Sequence, residues 1–225
     1  MKIAVITGDI VNSTEMSPEN KKIFFVSLFA YFKELEVFYN VKIEMFRGDS
    51  FQCMVSNIQH ALQIALEIKT FIRSTVSEKQ AVNLKIKDNL YKATGQIRYN
   101  ARISIGIGEM DFVHDSALTS DGTAFRLSGR QLDEMKSKKQ FLIISTDDKY
   151  HRELQMESVL LDVIMNNNTV QQSDVINKKL RGYIEKDIAG MLNIKQPAVN
   201  QRLNAGNWHA IDTMLKHFKL LYSNG

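Results

Sequence analysis

KIAVITGDIVNST, residues 2–14, is the stretch whose reading decides the fold. Ile3, Ala4, Val5 and Ile6 form a short continuous apolar run, the pattern of a strand buried on both faces. The run closes on Gly8 and Asp9, and a polar loop of Asn12, Ser13 and Thr14 follows. A strand that stops on a carboxylate and opens into a polar loop offers that carboxylate as a site at the end of a rigid element.

The neighbouring segments say what pairs with this strand. Ser17-Pro18-Glu19 is a helix start, with Ser as N-cap, Pro in the first turn and an acid beside it. That helix is expected to reach about Tyr39, with Phe25, Leu28, Phe29, Phe32, Leu35 and Val37 on its apolar side. Its phenylalanines read as core rather than as a cofactor box. Residues 41–46 and 51–55 read as two strands around a hairpin turn at Arg47-Gly48-Asp49-Ser50. From residue 58 to 72, Leu62, Ile64, Ala65, Ile68, Phe71 and Ile72 recur at helical spacing. Residues 74–100 are polar without a sustained period and are expected to form an extended loop, with room for a short helix or strand within it. ARISIGIG, residues 101–108, alternates as a strand does; residues 110–121 look irregular. Residues 123–135 read as a helix with Phe125, Leu127 and Leu132 inward, and residues 141–144 as a last strand. The order is that of an α+β fold, a βαββαβ ferredoxin-like sandwich with one face of an antiparallel sheet covered by helices.

The chain has 225 residues, 44% of them hydrophobic, which is enough for a medium domain and a small one. Its net charge of +4 is too small to imply nucleic acid by itself. The single cysteine, Cys53, lies within an expected strand and reads as a buried, inert thiol. No run is long and apolar enough to span a membrane, and no signal segment precedes the first strand, so a cytoplasmic location is expected. The five histidines show no metal-ligand spacing and receive no role.

Past residue 150 the pattern turns helical, giving an expected domain of residues 1–150 and a second of residues 151–225. Residues 154–165 and 170–183 read as helices around an Asn-rich break capped by Thr169. Residues 184–205, IEKDIAGMLNIKQPAVNQRLNA, have the frame of a helix-turn-helix. Ile188, Leu192, Ile194, Val199 and Leu203 supply its apolar contacts, and Asn193 holds the turn position that needs positive φ. Pro197 opens the second helix. Gln196, Asn200, Gln201, Arg202 and Asn204 are left outward, and these residue types hydrogen-bond base edges and phosphates. The alternative is a plain helical hairpin with a solvated polar face. Residues 208–221 read as a closing helix.

Asp9 and Asp49, each preceded by glycine at a strand end, are read as converging on one divalent cation. Hard cations such as Mg²⁺ take carboxylate and phosphate oxygens together. Singly, Asp9 could equally be a loop residue and Asp49 a turn acid. Arg126 and Arg130, one helical turn apart, are placed to clamp phosphate, or to form a solvated or salt-bridged face.

GDIVNST, RGDSF, ARISIGIGE and DGTAFRLSGRQL occur here in the order in which class III nucleotidyl cyclases carry similar motifs. The arrangement with a helix-turn-helix tail resembles the bacterial SatD family over nearly the whole chain. The resemblance implies that Asp9 and Asp49 bind Mg²⁺ or Mn²⁺ with a nucleoside triphosphate. It also implies that backbone amides of Ile10, Asn12, Ser13 and Thr14 cradle phosphate. Two positions depart from the cyclase pattern: Met45 stands where a purine-reading Lys or Glu is usual, and Arg126 stands where an Asn is usual, while Arg130 matches the transition-state Arg. The resemblance therefore implies a nucleotide-binding domain joined to a DNA reader, and the modest basicity of the tail implies that it works as a homodimer. The alternatives are an active cyclase-like phosphoryl-transfer enzyme, with Asp9 and Asp49 of one chain meeting Arg126 and Arg130 of the other, and a protein-docking module that binds no DNA.

Overall fold

A computed structural model describes residues 1–46, 48–78, 80–86, 89–96, 98–112 and 121–223; of residues 80–94 and Phe112 the backbone alone is described. Arg47 of the expected hairpin turn and His114 lie outside the described residues.

The chain begins with β1 (Lys2–Val11), α1 (Pro18–Tyr39), β2 (Lys42–Phe46), β3 (Ser50–Val55) and α2 (Ala61–Ser74). It continues through β4 (Gln80–Ile86), β5 (Asn89–Gly95), β6 (Asn100–Phe112), β7 (Asp121–Gly122), α3 (Thr123–Lys138) and β8 (Leu142–Thr146). Five helices end it: α4 (His151–Asn167), α5 (Val170–Leu180), α6 (Glu185–Met191), α7 (Gln196–Ala205) and α8 (Trp208–Leu221). The main sheet runs β2-β3-β1-β6-β7, and β8 pairs in parallel with β6. β1 is thus central, antiparallel to β3 on one edge and to β6 on the other. The mixed α+β architecture with its βαββαβ core is as the sequence pattern indicates.

Several elements differ from expectation. β1 continues past Asp9 to Val11, because β6 pairs with it to that point, whereas β3 pairs with it only as far as Asp9. Residues 74–100 are not an extended loop: β4 and β5 form a separate two-stranded antiparallel sheet. The alternation Val82-Asn83-Leu84-Lys85-Ile86 is its sequence signal. On α1, Phe29 and Val37 are exposed, whereas Phe24 and Tyr31 take the inward places. Helices also cover both sheet faces, not one. Ala4, Ile6 and Ile10 face α1 and α2 in the main core, together with Phe51, Cys53, Ile103, Ile105 and Ile107. Ile3 and Val5 face α3 through Ala124 and Phe125.

The second helix layer follows from the composition of β6. Its core-facing positions are Ile103, Ile105 and Ile107; the alternate positions are Ser104, Gly106 and Gly108. A Cβ on Gly106 would come within 2.2 Å of Ala124 O and 2.5 Å of Ser128 N, so α3 lies with its backbone directly on the strand. Thr7 Oγ1 donates to Ser128 Oγ at 2.9 Å and ties the same helix to β1.

The C-terminal helices share the main core, through Leu161, Val175, Ile176, Ile188, Val199, Leu203 and Phe218. Polar contacts fix the seam. Asn177 Nδ2 donates to Tyr31 Oη, Glu67 O and Thr70 Oγ1 at 2.9–3.0 Å. Arg73 donates to Asn166 O at 2.9 Å and Asn168 O at 2.6 Å. Cys53 is fully buried, and burial pushes its thiol pKa up, as suits an inert core residue.

Lys69 on α2 is fully buried. Its Nζ donates to Ala101 O at 3.0 Å, to Asn100 Oδ1 at 3.3 Å and to Phe141 O at 3.3 Å, so it clips α2 to β6 and to the entrance of β8. Burial lowers its pKa from 10.5 to about 7, against the pull of Asp162. The folded chain therefore holds fewer protons than the unfolded one between those values, and stability rises with pH across that window. We expect stability to increase from about pH 7 to about pH 9, by up to ~1.4 kcal/mol per unit from this group. Urea midpoints measured across that range should show the slope in the wild type and lose it in Lys69→Met.

Candidate functional site

Asp9 lies on the α3-facing side of β1, because the side chains of a strand alternate and Ile3, Val5 and Thr7 share that side. Its cross-strand neighbours are Ser50 on β3 and Arg102 on β6. Arg102 Nη1 stands 3.3 Å from Asp9 Oδ2, and Lys136 Nζ, from the last turns of α3, stands 3.8 Å from the same oxygen. The other oxygen, Oδ1, is buried and has no hydrogen-bond partner among the described residues. The side chain is 13% exposed. Burial raises the Asp9 pKa and Asp49 adds to the rise, while Arg102 and Lys136 oppose it.

Asp49 reaches the same place from the β2–β3 turn. Gly48, at φ 83°, provides the left-handed residue of that turn. The Asp49 carbonyl accepts from Ile10 N at 2.9 Å, which locks the turn against the end of β1. Its carboxylate accepts from Ser13 Oγ at 2.5 Å. Ser13 is brought back by Asn12, which adopts φ 59° and turns the chain from β1 into the short 3₁₀ segment Ser13–Glu15. Two acids 40 residues apart are thereby brought to one end of the sheet, and their charges interact.

The donor types suit a divalent cation. A half-desolvated carboxylate that feels the charge of a second carboxylate is stabilised by a cation close to both. Asp9 and Asp49 are the side chains that would hold it. Of the loop expected to cradle phosphate, Ile10 cannot serve: it lies within β1, its amide is already donated to Asp49 O and its side chain is in the core. Asn12, Ser13 and Thr14 lie at the strand end, with Thr14 exposed and Ser13 buried.

Arg126 and Arg130 are not part of this cluster within one chain. Both are exposed on α3. Arg126 is held at the other end of the helix by Asp121 at 3.2 Å and Asp111 at 3.1 Å. At ~1.5 Å per residue, Arg126 and Arg130 sit roughly 15 Å and 9 Å along the axis from Lys136. The cations at Asp9 are instead Arg102 and Lys136, which the sequence reading missed. Arg102 stands in the alternating ARISIGIG strand at an outward position, and that placement was the available signal. Met45, on β2, is half-buried and pairs with Phe51.

A second polar surface lies on α7. α6 and α7 are joined by a turn in which Asn193 has φ 49°, and Ile194 N donates to Ala189 O at 3.0 Å. Ile188, Ala189, Val199 and Leu203 are buried between the two helices and α5, while Gln196, Asn200, Gln201 and Asn204 are exposed and Arg202 is half-buried. The histidines, given no role from sequence, include one that matters for packing: His217 on α8 lies 3.3 Å from Glu153 and 3.1 Å from Glu157 on α4. These contacts join the last helix to the fourth.

No family model matches this sequence, and no curated protein matches it. Solved structures do. A bacterial light-regulated adenylyl cyclase is similar at 14% identity over 64% of this chain and 74% of its own, with a TM-score of 0.39. The GGEEF domain of a diguanylate cyclase from Vibrio cholerae is similar at 13% identity over 66% and 85%, with a TM-score of 0.40. The adenylyl cyclase CyaB from P. aeruginosa is similar at 15% identity over 59% and 71%, with a TM-score of 0.35. At these scores the likeness assigns no residue roles and no chemistry.

The left-handed turn between α6 and α7 gives a direct test of that geometry. Replacing Asn193 by Val should cost about 1–2 kcal/mol, because a β-branched side chain is strained at positive φ. Asn193→Gly should be near neutral. Denaturant midpoints compare the two.

Proposed function

We propose that this chain is a nucleotide-responsive DNA-binding regulator. In this reading Asp9 and Asp49 hold Mg²⁺ or Mn²⁺ carrying a nucleoside triphosphate, and α6 and α7 form a helix-turn-helix. The observation that carries the ligand half is the buried Asp9 Oδ1, without a partner among the described residues, on a carboxylate that feels the charge of Asp49. A cation there neutralises the two acids and the phosphate oxygens together, which is the chemistry such a metal supplies. Ser13 orients Asp49, and Arg102 and Lys136 orient Asp9 by holding its other oxygen. The order of the GDIVNST, RGDSF and ARISIGIGE motifs supports the same ligand class.

Binding is favoured over turnover. Met45 brings a thioether where a purine-reading charge is needed, and Arg126 is already engaged by two aspartates of its own chain. The DNA half is supported by the exposed Gln, Asn and Arg residues on α7 over an apolar frame. Its modest basicity suits a homodimer, in which two weak half-sites add.

ATP or GTP with Mg²⁺ should raise the melting temperature. Ligand at 100 times its Kd stabilises by about 2.7 kcal/mol, and a chain of this size gains roughly 2–4 °C per kcal/mol. Asp9→Asn and Asp49→Asn should abolish the shift, since Asn keeps the shape and the acceptor for Arg102 or Ser13 but loses the charge. Absence of any shift, or an undiminished one in both variants, removes the ligand half. Mass spectrometry of NTP incubated with Mn²⁺ should show neither cyclic nucleotide nor pyrophosphate; either product reassigns the site to catalysis. On the DNA side, Gln201→Ala should cost about 1–3 kcal/mol for a preferred sequence, and Arg202→Ala should reduce the salt dependence by about one unit. No salt-dependent DNA binding makes the tail a protein-docking module.

A further inference from the structure

A cavity of about 160 Å³ lies where α1, α2 and the segment between α5 and α6 meet, lined by Leu35, Phe38, Glu67, Arg181 and Tyr183. Its wall is aliphatic and aromatic except for one carboxylate and one guanidinium. Glu67 is 1% exposed, yet it makes no ion pair among the described residues. Its Oε1 accepts from Tyr39 Oη and, at 3.3 Å, from Gln63 Nε2. The neighbouring cation is committed elsewhere: Arg181 Nη2 pairs with Glu34 at 2.8 Å and its guanidinium lies over the Tyr31 ring at 5.5 Å. Burial holds the Glu67 carboxyl above its usual pKa, against the hydrogen bonds from Tyr39 and Gln63 and the more distant charge of Arg181. A buried carboxylate without a direct ion pair among the described residues, at the wall of a cavity, is a group that gains from a cation in contact with it.

We propose that this cavity binds a small organic ammonium, its charged nitrogen paired with Glu67 and its apolar body packed between Leu35, Phe38 and Tyr183. Three features select this class. A divalent metal needs several oxygen ligands, and Glu67 is the one carboxylate lining the cavity. Aromatic walls favour an ammonium with an apolar body, through cation–π contact and burial together. The volume sets the size: an apolar cavity of about 150 Å³ admits benzene, so roughly eight non-hydrogen atoms fit here. The location adds a consequence. Arg181 and Tyr183 lead straight into α6, which begins at Glu185, so an occupant bridges α1 and α2 to the first helix of the α6–α7 pair. This inference is independent of the Asp9–Asp49 site.

Benzylamine and its neutral counterpart benzyl alcohol, titrated by calorimetry into the full chain, test it. Benzylamine is expected to bind saturably and at least about tenfold more tightly than the alcohol. Glu67→Gln, which keeps an acceptor for Tyr39, should bring benzylamine down to the level of the alcohol. Phe38→Ala, at a position 70% exposed and tolerant of truncation, should weaken both probes. Equal affinities, no saturable benzylamine binding at millimolar concentration, or unchanged benzylamine affinity in Glu67→Gln overturns the proposal. Should Glu67→Gln fail to fold, unchanged benzylamine affinity in both Phe38→Ala and Tyr183→Ala overturns it, and weakened affinity in both supports it.

Discussion

β1 is hydrogen-bonded along both edges and covered on both faces, and the candidate site follows from that constraint. A strand held in this way commits every side chain to one face or the other. Ala4, Ile6 and Ile10 go to the helices of the main core; Ile3, Val5, Thr7 and Asp9 go to α3. A slip of one residue would drive Asp9 into the apolar core, which the burial on both sides forbids. Asp9 therefore stays half-desolvated whether or not its own contacts are favourable. Its environment is imposed by the apolar residues before it, and its need for positive charge is a result of that imposition.

What answers this need depends on β6. Ser104, Gly106 and Gly108 let the backbone of α3 rest on the strand, and the helix then extends until Lys136 stands over Asp9. Larger residues at these positions would lift α3 and withdraw that cation. The same strand supplies Arg102 directly across from Asp9. Both cations meet one oxygen, Oδ2, leaving Oδ1 for another partner. Packing on one strand thus decides the electrostatics of the next.

Much of this was legible in the residues. The apolar run at the start, the alternation in ARISIGIG and the Ser17-Pro18 cap each report a local constraint, and each element appears where its pattern puts it. Asn193 reported a backbone conformation, and its φ of 49° meets it. The readings that failed are those that depend on distant partners. β1 continues past Asp9 because β6 reaches Asn100 opposite Val11, which no local pattern encodes. Phe29 and Val37 satisfy the helical period of α1 but lie outside the arc that the sheet covers. Arg102 and Lys136 are separated from Asp9 by 93 and 127 residues, and only the topology brings them together. The role of His217 between Glu153 and Glu157 is hidden for the same reason.

Lys69, Asp9 and Glu67 are withdrawn from water in three different ways, and the differences carry meaning. Lys69 is met by two backbone carbonyls and a side-chain amide oxygen, a set that uses all its donors and leaves it a structural clip. Asp9 has cations on one oxygen and nothing on the other. Glu67 has hydroxyl and amide donors and feels the charge of Arg181, but makes no ion pair among the described residues, since Arg181 is engaged by Glu34. Asp9 and Glu67 thus keep part of their electrostatic demand unmet, one at the end of the central strand and one at the joint between α2 and the link into α6. Lys69 shows that the fold can satisfy a buried charge from its own groups, and the partial pairing of Asp9 and Glu67 among the described residues is what the two proposed cation sites rest on.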